Sequence, residues 1–432
     1  MISALFQGSV AAWSGLIAML SVYFFSYFQR SAIPGTIFDE IQMDMGMTAT
    51  AVAGLGSMFL AIYAGSQLCI GMAADRFGGR RTLLWGALLM AVGSVWFPLA
   101  RSPFTLYAAR ALTGFGASFM FLSIVHEVET LFGARRFPAV MGIVLFVGYA
   151  GGMTGTLPFA ALTAWADWRS VLLGVGLLLS ACGIAAWLVL RRLPPSAHAP
   201  VKISFRPMWE VVGSSRNGPM LLASLTSFSV YFVIQNVVGK KFLQDVAGLS
   251  SNRAASFALT MAAVSAAMVF LSGLWLKLSR HRRKPILLAF GCILFLGAFA
   301  LAMAVVLKAS PWVYLAAYMM IATSVGSSTT ASTVIKELNR PECVAQSVAV
   351  LNGLTYAGVS GLSILSGWVL DHFAEGSVLT AAGRLYPSSA YLTLFIILTG
   401  IALFSFLCLT RVRETASQLI LQDESYPPQP RD

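Results

Sequence analysis

Residues Gly71 to Arg81 read G-M-A-A-D-R-F-G-G-R-R and form a short charged hinge between two long apolar stretches. Glycine lets two helices turn back on each other within a few residues, and arginine is typical of loops on the cytoplasmic side of a membrane. We expect Asp75 to pair with a cation or to cap the N-terminus of a helix. The hinge therefore predicts a tight cytoplasmic connection between two membrane-spanning helices.

The composition predicts an all-α polytopic membrane protein. The chain has 432 residues, of which 57% are hydrophobic and 11% are charged, and its mean hydropathy is +0.77. A soluble protein has about 25% charged residues. Apolar stretches of about 18 residues or more, enough to cross a bilayer as a helix, recur along the whole chain. Twelve spans are predicted, at 11–33, 49–70, 82–100, 104–127, 138–160, 170–190, 218–239, 254–275, 285–307, 312–335, 344–370 and 389–410.

The basic residues predict the orientation of these spans. With both termini in the cytoplasm, the cytoplasmic segments hold 20 of the 29 Lys and Arg residues, and the opposite side holds 7. This asymmetry is the positive-inside rule, so the net charge of +12 reflects topology and not a nucleic-acid partner. The chain contains no Asn-x-Ser/Thr sequon, which favours the cytoplasmic (inner) membrane of a bacterium.

The proline-rich basic stretch between the sixth and seventh spans divides the chain into two halves. We predict an N-terminal bundle at 1–193, a cytoplasmic linker at 194–217, a C-terminal bundle at 218–411 and a disordered cytoplasmic tail at 412–432. A shift of 202 residues places the hinge arginines on Arg282 and Arg283, as expected for two parallel repeats.

Two motifs resemble those of the major facilitator superfamily. The hinge matches the Gly-x-x-x-Asp-Arg-x-Gly-x-Arg-Arg pattern between helices two and three of that family, and Arg110 with Gly114 and Gly116 is similar to the Arg-x-x-x-Gly-x-Gly motif of helix four. The resemblance covers nearly the full length. It implies two six-helix bundles, twelve helices in all, that alternate access to a central site and can work as a monomer. It also implies a gating role for Gly71, Asp75, Arg76, Gly78, Arg80, Arg81 and Arg110.

Shorter motifs resemble a bacterial subgroup of importers that includes the phagosomal nutrient transporters and siderophore-uptake permeases. They are Tyr27-Phe28-Gln29-Arg30 with Pro34, and Lys336 to Asn339 with Asn352. The Gly-Pro-x-x-Gly-Gly antiporter motif of helix five is not reproduced, since Pro158 follows the glycines of span five in a different arrangement. This difference favours uptake over drug efflux.

Arg30 is the strongest candidate for contact with a substrate. Tyr23, Tyr27, Arg30 and Pro34 share one helical face, which we expect to look towards a cavity because a charge facing lipid costs at least about 2.5–3.5 kcal/mol. The guanidinium offers a fork for a carboxylate or a phosphate. The alternative is that Arg30 reaches to the membrane surface or pairs structurally.

Further polar residues inside the spans are candidates for hydrogen bonds to the substrate or between helices. They are Gln67, Tyr231, Gln235, Asn236, Tyr318, Asn352 and Tyr356. His126 and Glu127 are candidates for proton coupling, because a His beside a Glu exchanges protons near neutral pH. The alternative for this pair is an interfacial cluster with Arg135 and Arg136.

The leading interpretation is a secondary active transporter that moves a small polar or anionic organic solute with protons. The sequence predicts no enzyme, no cofactor and no metal site: it lacks an ATP-binding loop and clustered metal ligands. The expected partners are a small-molecule substrate, the proton and the lipid bilayer. A drug/proton efflux antiporter and a non-transporting sensor on the same fold are the alternatives.

Overall fold

The computed structural model describes residues 10–192, 206–278, 282–340, 343–380 and 383–415. These residues form long apolar helices and one small β-hairpin, in which Val378 pairs antiparallel with Leu385. The elements are α1 (Val10–Ala32), α2 (Phe38–Met45), α3 (Ala49–Phe77), α4 (Gly79–Leu99), α5 (Pro103–Thr154), α6 (Leu157–Thr163), α7 (Trp168–Leu190), α8 (Arg206–Gly213), α9 (Gly218–Val233), a π-helical turn (Ile234–Val238), α10 (Gly239–Asp245), α11 (Ser251–Leu278), α12 (Lys284–Val306), α13 (Pro311–Thr323), a 3-10 turn (Ser324–Gly326), α14 (Ser327–Glu337), α15 (Val344–His372), a 3-10 turn (Ala374–Gly376), β1 (Val378–Thr380), β2 (Gly383–Leu385) and α16 (Ser388–Thr410).

The all-α polytopic membrane fold is confirmed. Within the described residues, 11 helices are long and apolar enough to cross a membrane. The predicted tenth span is not one of them, because the 3-10 turn Ser324–Gly326 divides it into the shorter helices α13 and α14. The number of twelve spans stays a prediction.

Two predicted span ends are wrong, and both differences matter for the site. The fourth span runs on from 127 to Gly133, where a φ of 69° breaks α5 and a glycine is suited to the turn. The seventh span was placed at 218–239, but it continues through the π-helical turn and α10 to Asp245. Lys240 and Lys241 are therefore buried in this segment and do not lie in a loop.

The predicted linker and tail both contain ordered residues. The short helix α8 lies in the linker, and its Val211 packs against Met220 of α9 and Leu338. In the tail, the Glu414 carboxylate accepts hydrogen bonds of 2.7 and 3.1 Å from the amides of Arg283 and Lys284. A carboxylate at this position satisfies amides at the first turn of α12 that have no partner within the helix.

The helices approach closely where the sequence places small residues. A Cβ on Gly114 would lie 2.5 Å from the Phe59 carbonyl oxygen of α3, and one on Gly116 would lie 2.3 Å from the Met90 amide nitrogen of α4. These glycines let α5 pack backbone to backbone against both neighbours. The small residues of the helix-four motif therefore serve helix packing.

We predict that Gly116→Val lowers the Tm of the purified protein in detergent. The added side chain meets backbone atoms that cannot turn away, and overpacking costs about 1–3 kcal/mol or more. Gly65→Val on α3 is the matched control, because a Cβ there meets nothing within 4 Å. Equal melting temperatures for the two variants in a differential scanning fluorimetry experiment would contradict the packing role.

Candidate functional site

A cavity of about 230 Å³ lies between the N-terminal half (residues 10–192) and the C-terminal half (residues 218–415). Tyr27 and Arg30 of α1 line it from one side, and Asn352 and Tyr356 of α15 line it from the other. It extends to Leu409 in the last turn of α16. We call this end of the protein, which also holds Gly78, Arg80 and Arg283, the linker end, and the opposite end, with β1 and β2, the hairpin end.

Arg30 is held in this cavity by tyrosine side chains. Its Nη1 donates a 2.8 Å hydrogen bond to the Tyr356 hydroxyl, and its guanidinium carbon lies 4.2 Å from the centre of the Tyr27 ring. The Tyr63 and Tyr356 rings are both 5.6 Å away. Arg30 has no carboxylate partner among the described residues. The side chain is 9% exposed, so its charge is buried without a counter-charge.

The other predicted binding residues divide into two groups. Tyr27, Asn236, Asn352 and Tyr356 line the cavity together with Arg30. Tyr23 and Gln67 are buried but do not line it. The Tyr23 ring lies behind Tyr27, with the ring centres 5.2 Å apart in an edge-to-face arrangement.

Three further residues with a part in the cavity region were not selected from the sequence. Tyr63 belongs to the ring of tyrosines around Arg30, and Tyr149 of α5 lines the cavity with its ring centre 6.1 Å from that of Tyr27. Gly152 next to them lines the cavity as well. In the sequence, Tyr63 and Tyr149 are each a single polar aromatic residue within an apolar span. Such residues are too common to indicate a binding site.

The hinge forms a tight turn at the linker end. Gly78 has a φ of 85°, which suits glycine, and it separates α3 from α4. Arg76 and Arg81 are exposed. Gly71 and Asp75 belong to the last turns of α3, and the contacts of both residues lie outside what the structure describes.

Glu127 pairs with Arg80 of the hinge. Its carboxylate accepts a 2.9 Å bond from the Arg80 amide and a 3.3 Å bond from Arg80 Nη2. The predicted cluster with Arg135 and Arg136 stays a hypothesis, because the Arg135 side chain lies outside the described residues. His126 lies beside it, with its Cβ 3.2 Å from the position of a Cβ on Gly79.

Arg110 lies far along α5 from the hinge, near the hairpin end. It donates bonds of 3.3 Å to the carbonyl oxygens of Gln29, Ile33 and Leu55, and its guanidinium carbon lies 4.5 Å from the centre of the Phe59 ring. The partner expected of an intramembrane arginine is thus a set of backbone carbonyls. This contact joins α1, α3 and α5 within the N-terminal half, and it is separate from the contacts of Arg80.

The C-terminal half repeats the contact of the hinge. Arg283, at the start of α12, forms a 2.9 Å ion pair with Glu337 at the end of α14. This arrangement matches that of Arg80 at the start of α4 with Glu127 in α5. Each of these two ion pairs at the linker end joins residues of one half only.

Contacts between the halves concentrate at the hairpin end. Lys241 Nζ lies 2.5 Å from Asp39 Oδ1 of α2 and 3.2 Å from Asp245 Oδ1 of its own helix. It also donates to the Arg384 carbonyl oxygen at 2.7 Å. The second Asp245 oxygen accepts from the Tyr391 hydroxyl at 2.6 Å. We call Asp39, Lys241 and Asp245 the latch. The sequence does not reveal it, because the predicted seventh span ends at residue 239, before Lys241.

Three more contacts close the hairpin end around the latch. Asp371 of α15 accepts bonds of 2.7 and 2.8 Å from the amides of Ala49 and Thr50, and so caps the first turn of α3. The Gln42 side chain donates to the Tyr386 hydroxyl at 3.0 Å, and burial raises the pKa of this phenol to about 12. Tyr386 therefore stays neutral at physiological pH.

This architecture is that of a polytopic transport protein with a central site between two halves. A profile of the Major Facilitator Superfamily matches residues 19–362, and the chain belongs to that superfamily. Its members are transporters, and the matched region contains both the hinge and Arg30.

The similar proteins include exporters and an anion exchanger. The chain is 32% identical over 164 residues to the cephamycin export protein of Amycolatopsis lactamdurans, across 38% of this chain and 33% of that relative. It is 30% identical over 124 residues to the oxalate:formate antiporter of Oxalobacter formigenes, across 29% of this chain and 28% of that relative. The matches thus span about a third of the length of these curated relatives.

A solved structure shows the same fold. The bacterial homologue of the human lysosomal transporter Spinster, in an inward-facing and unoccupied conformation, aligns with a TM-score of 0.73. The alignment covers 94% of this chain and 98% of that chain at 19% identity.

We predict that Asp39→Asn opens the hairpin end while the protein stays folded. Lys241 loses its partner from the other half but keeps Asp245, so the cost is well below the about 3–5 kcal/mol of an unpaired buried charge. Hydrogen–deuterium exchange should increase in peptides that cover residues 47–56 and 383–388. The control is Asp44→Asn, which removes only a 2.8 Å pair with Arg169 inside the N-terminal half. Unchanged exchange in Asp39→Asn would show that the latch does not hold the halves together.

Proposed function

We propose that this protein is a secondary active transporter that takes up a small organic anion with protons across the cytoplasmic membrane of a bacterium. The single observation that carries the proposal is Arg30, the one charged side chain among the described residues that line the cavity. A buried cation without a carboxylate partner is electrostatically unfavourable until an anion arrives. An anionic substrate therefore gains a charge-assisted, bidentate contact at a site that is already desolvated.

The contacts between the halves support transport by alternating access. The latch and the Asp371 cap hold the hairpin end closed, and the cavity extends towards the linker end. We assign the linker end and both termini to the cytoplasm by the positive-inside rule. In this proposal the protein works as a monomer, and the bundles 1–193 and 218–411 rock about the cavity. The hinge residues from Gly71 to Arg81, Asp75 included, contribute to the gate that closes the linker end when the hairpin end is open.

The test of the anion site is a thermal-shift screen followed by uptake into proteoliposomes. The probes are propionate, lactate, benzoate, succinate, glycerol 3-phosphate and the cation ethidium. We expect at least one monoanion to raise the Tm, and we expect Arg30→Ala to weaken its binding roughly 10- to 150-fold, since a bond to a charged group is worth about 1.5–3 kcal/mol. Arg253→Ala, at the exposed start of α11, is the matched control.

Two outcomes would contradict the anion site. One is a shift that survives in Arg30→Ala although this variant melts like the unmodified protein without ligand. The other is a shift with ethidium alone. The second outcome would support efflux of amphipathic compounds, which is favoured by the similarity to the cephamycin export protein and by the apolar side chains at the linker end of the cavity, among them Leu287, Phe290 and Leu409.

For proton coupling we propose Glu127, with His126 beside it. Glu127 is fully buried and forms an ion pair with Arg80 of the hinge. Protonation of this carboxylate would release Arg80, so the proton would act on the part of the chain that closes the linker end. In this proposal, the Glu127–Arg80 ion pair therefore connects protonation of the carboxylate to the closing of the linker end.

We predict that Glu127→Gln keeps exchange of substrate but loses accumulation. In proteoliposomes, counterflow needs only the loaded carrier to change conformation, whereas uphill uptake driven by a pH gradient also needs the proton. Glu129→Gln, two residues along α5 and exposed, should retain both activities. Uphill uptake by Glu127→Gln at the rate of the unmodified protein would exclude this carboxylate as the proton carrier.

A further inference from the structure

The seventh span contains one wide turn where it lines the cavity. Residues Ile234 to Val238 are π-helical and all five are buried. A π-helical turn is rare and is frequent at functional sites, because the extra residue changes which side chains point inward. Here Gln235 and Asn236 both line the cavity that holds Arg30.

Gln235 presents an acceptor that has no partner. Its Nε2 donates a 2.8 Å bond to the Ala258 carbonyl oxygen of α11. Only the amino group of the amide can donate to a carbonyl, so this bond fixes which way the side chain is turned. The Oε1 atom is buried and makes no hydrogen bond with any described residue.

Asn236 adds a second buried acceptor, because its Oδ1 also has no partner among the described residues. The backbone here is firmly placed: a Cβ on Gly35 would lie 2.4 Å from the Asn236 carbonyl oxygen. The π-helical turn is thus packed directly against the end of α1, the helix that carries Arg30. A buried acceptor left unsatisfied costs about 1–3 kcal/mol, so we expect each oxygen to accept a hydrogen bond from a bound molecule.

Serine hydroxyls extend this surface of acceptors along the C-terminal half. The Ser324, Ser327 and Ser332 hydroxyls donate to carbonyl oxygens of their own helices at 2.7, 2.8 and 3.0 Å. A hydroxyl that already donates has only its lone pairs left to offer, and these three residues line the cavity. These three hydroxyls therefore offer acceptors to a ligand.

We propose that the cavity takes a hydroxylated organic acid, with the anionic group on Arg30 and hydroxyl donors on Gln235 and Asn236. The ligand's donors are hydroxyls and not an ammonium group, because the described residues that line the cavity include no carboxylate and a desolvated ammonium needs one. This inference rests on the proposed function, since it takes Arg30 as the anion site. It adds that the C-terminal half recognises the hydroxyl groups on the part of the substrate away from its anionic group.

The test compares acids that differ only in their hydroxyl groups. Dissociation constants are measured by isothermal titration calorimetry for lactate against propionate and for quinate against cyclohexanecarboxylate. We expect the hydroxylated member of at least one pair to bind at least tenfold more tightly. In Gln235→Leu that preference should shrink to less than threefold, while Thr226→Val, on α9 but outside the cavity lining, should keep it.

The results separate this inference from the proposed function. Arg30-dependent binding of both members of each pair with equal affinity would overturn the donor subsite and leave the anion transporter standing. Tighter binding of the unhydroxylated acids would overturn it as well. Failure of every acid to bind, in a protein that melts cooperatively, would overturn both. The comparison between ligands uses the unmodified protein, so a Gln235→Leu variant that does not fold leaves the test intact.

Discussion

A positive charge inside a membrane bundle needs a partner, and this requirement explains how four of the described buried cations are placed. Arg110 is satisfied by three backbone carbonyl oxygens and ties the N-terminal half together. Lys241 is satisfied by carboxylates from both halves, and Arg283 by Glu337. Like Arg110, Arg30 has no carboxylate partner among the described residues, but its guanidinium lines the cavity, with tyrosine rings and one hydroxyl around it. In the proposed function, this unbalanced charge is what attracts an anion to the cavity.

The contacts at the two ends of the protein differ in whether they join the N-terminal and C-terminal halves. At the hairpin end, the contacts across the halves include a lysine that has a second partner and two backbone amides that bind one carboxylate. Lys241 retains Asp245 when Asp39 leaves, and an exposed Asp39 regains its hydration. Such contacts are specific but can be broken at modest cost. A transporter that changes conformation in each cycle requires contacts of this kind.

The halves resemble each other in scaffold and differ at the cavity. Arg80 with Glu127 and Arg283 with Glu337 are the same contact at equivalent places, and each fixes the start of one helix to the end of another. The cavity walls are unlike: the N-terminal half supplies Arg30 and Tyr27, whereas the C-terminal half supplies amide and hydroxyl groups. A repeated scaffold thus carries one charged wall and one neutral polar wall, which is suited to a ligand with an anionic end and a polar body.

The sequence by itself determined the features that depend on local or periodic properties. The apolar length of each stretch predicts helices, Gly78 predicts the turn of the hinge, and the helical period places Tyr27 and Arg30 on one face. Only the tertiary structure decided which distant groups meet: Glu127 with Arg80, Asp39 with Lys241, and Arg30 with Tyr356 across 326 residues. The physical reason is that helix formation is governed by neighbours along the chain, whereas the partner of a buried charge depends on how the helices pack.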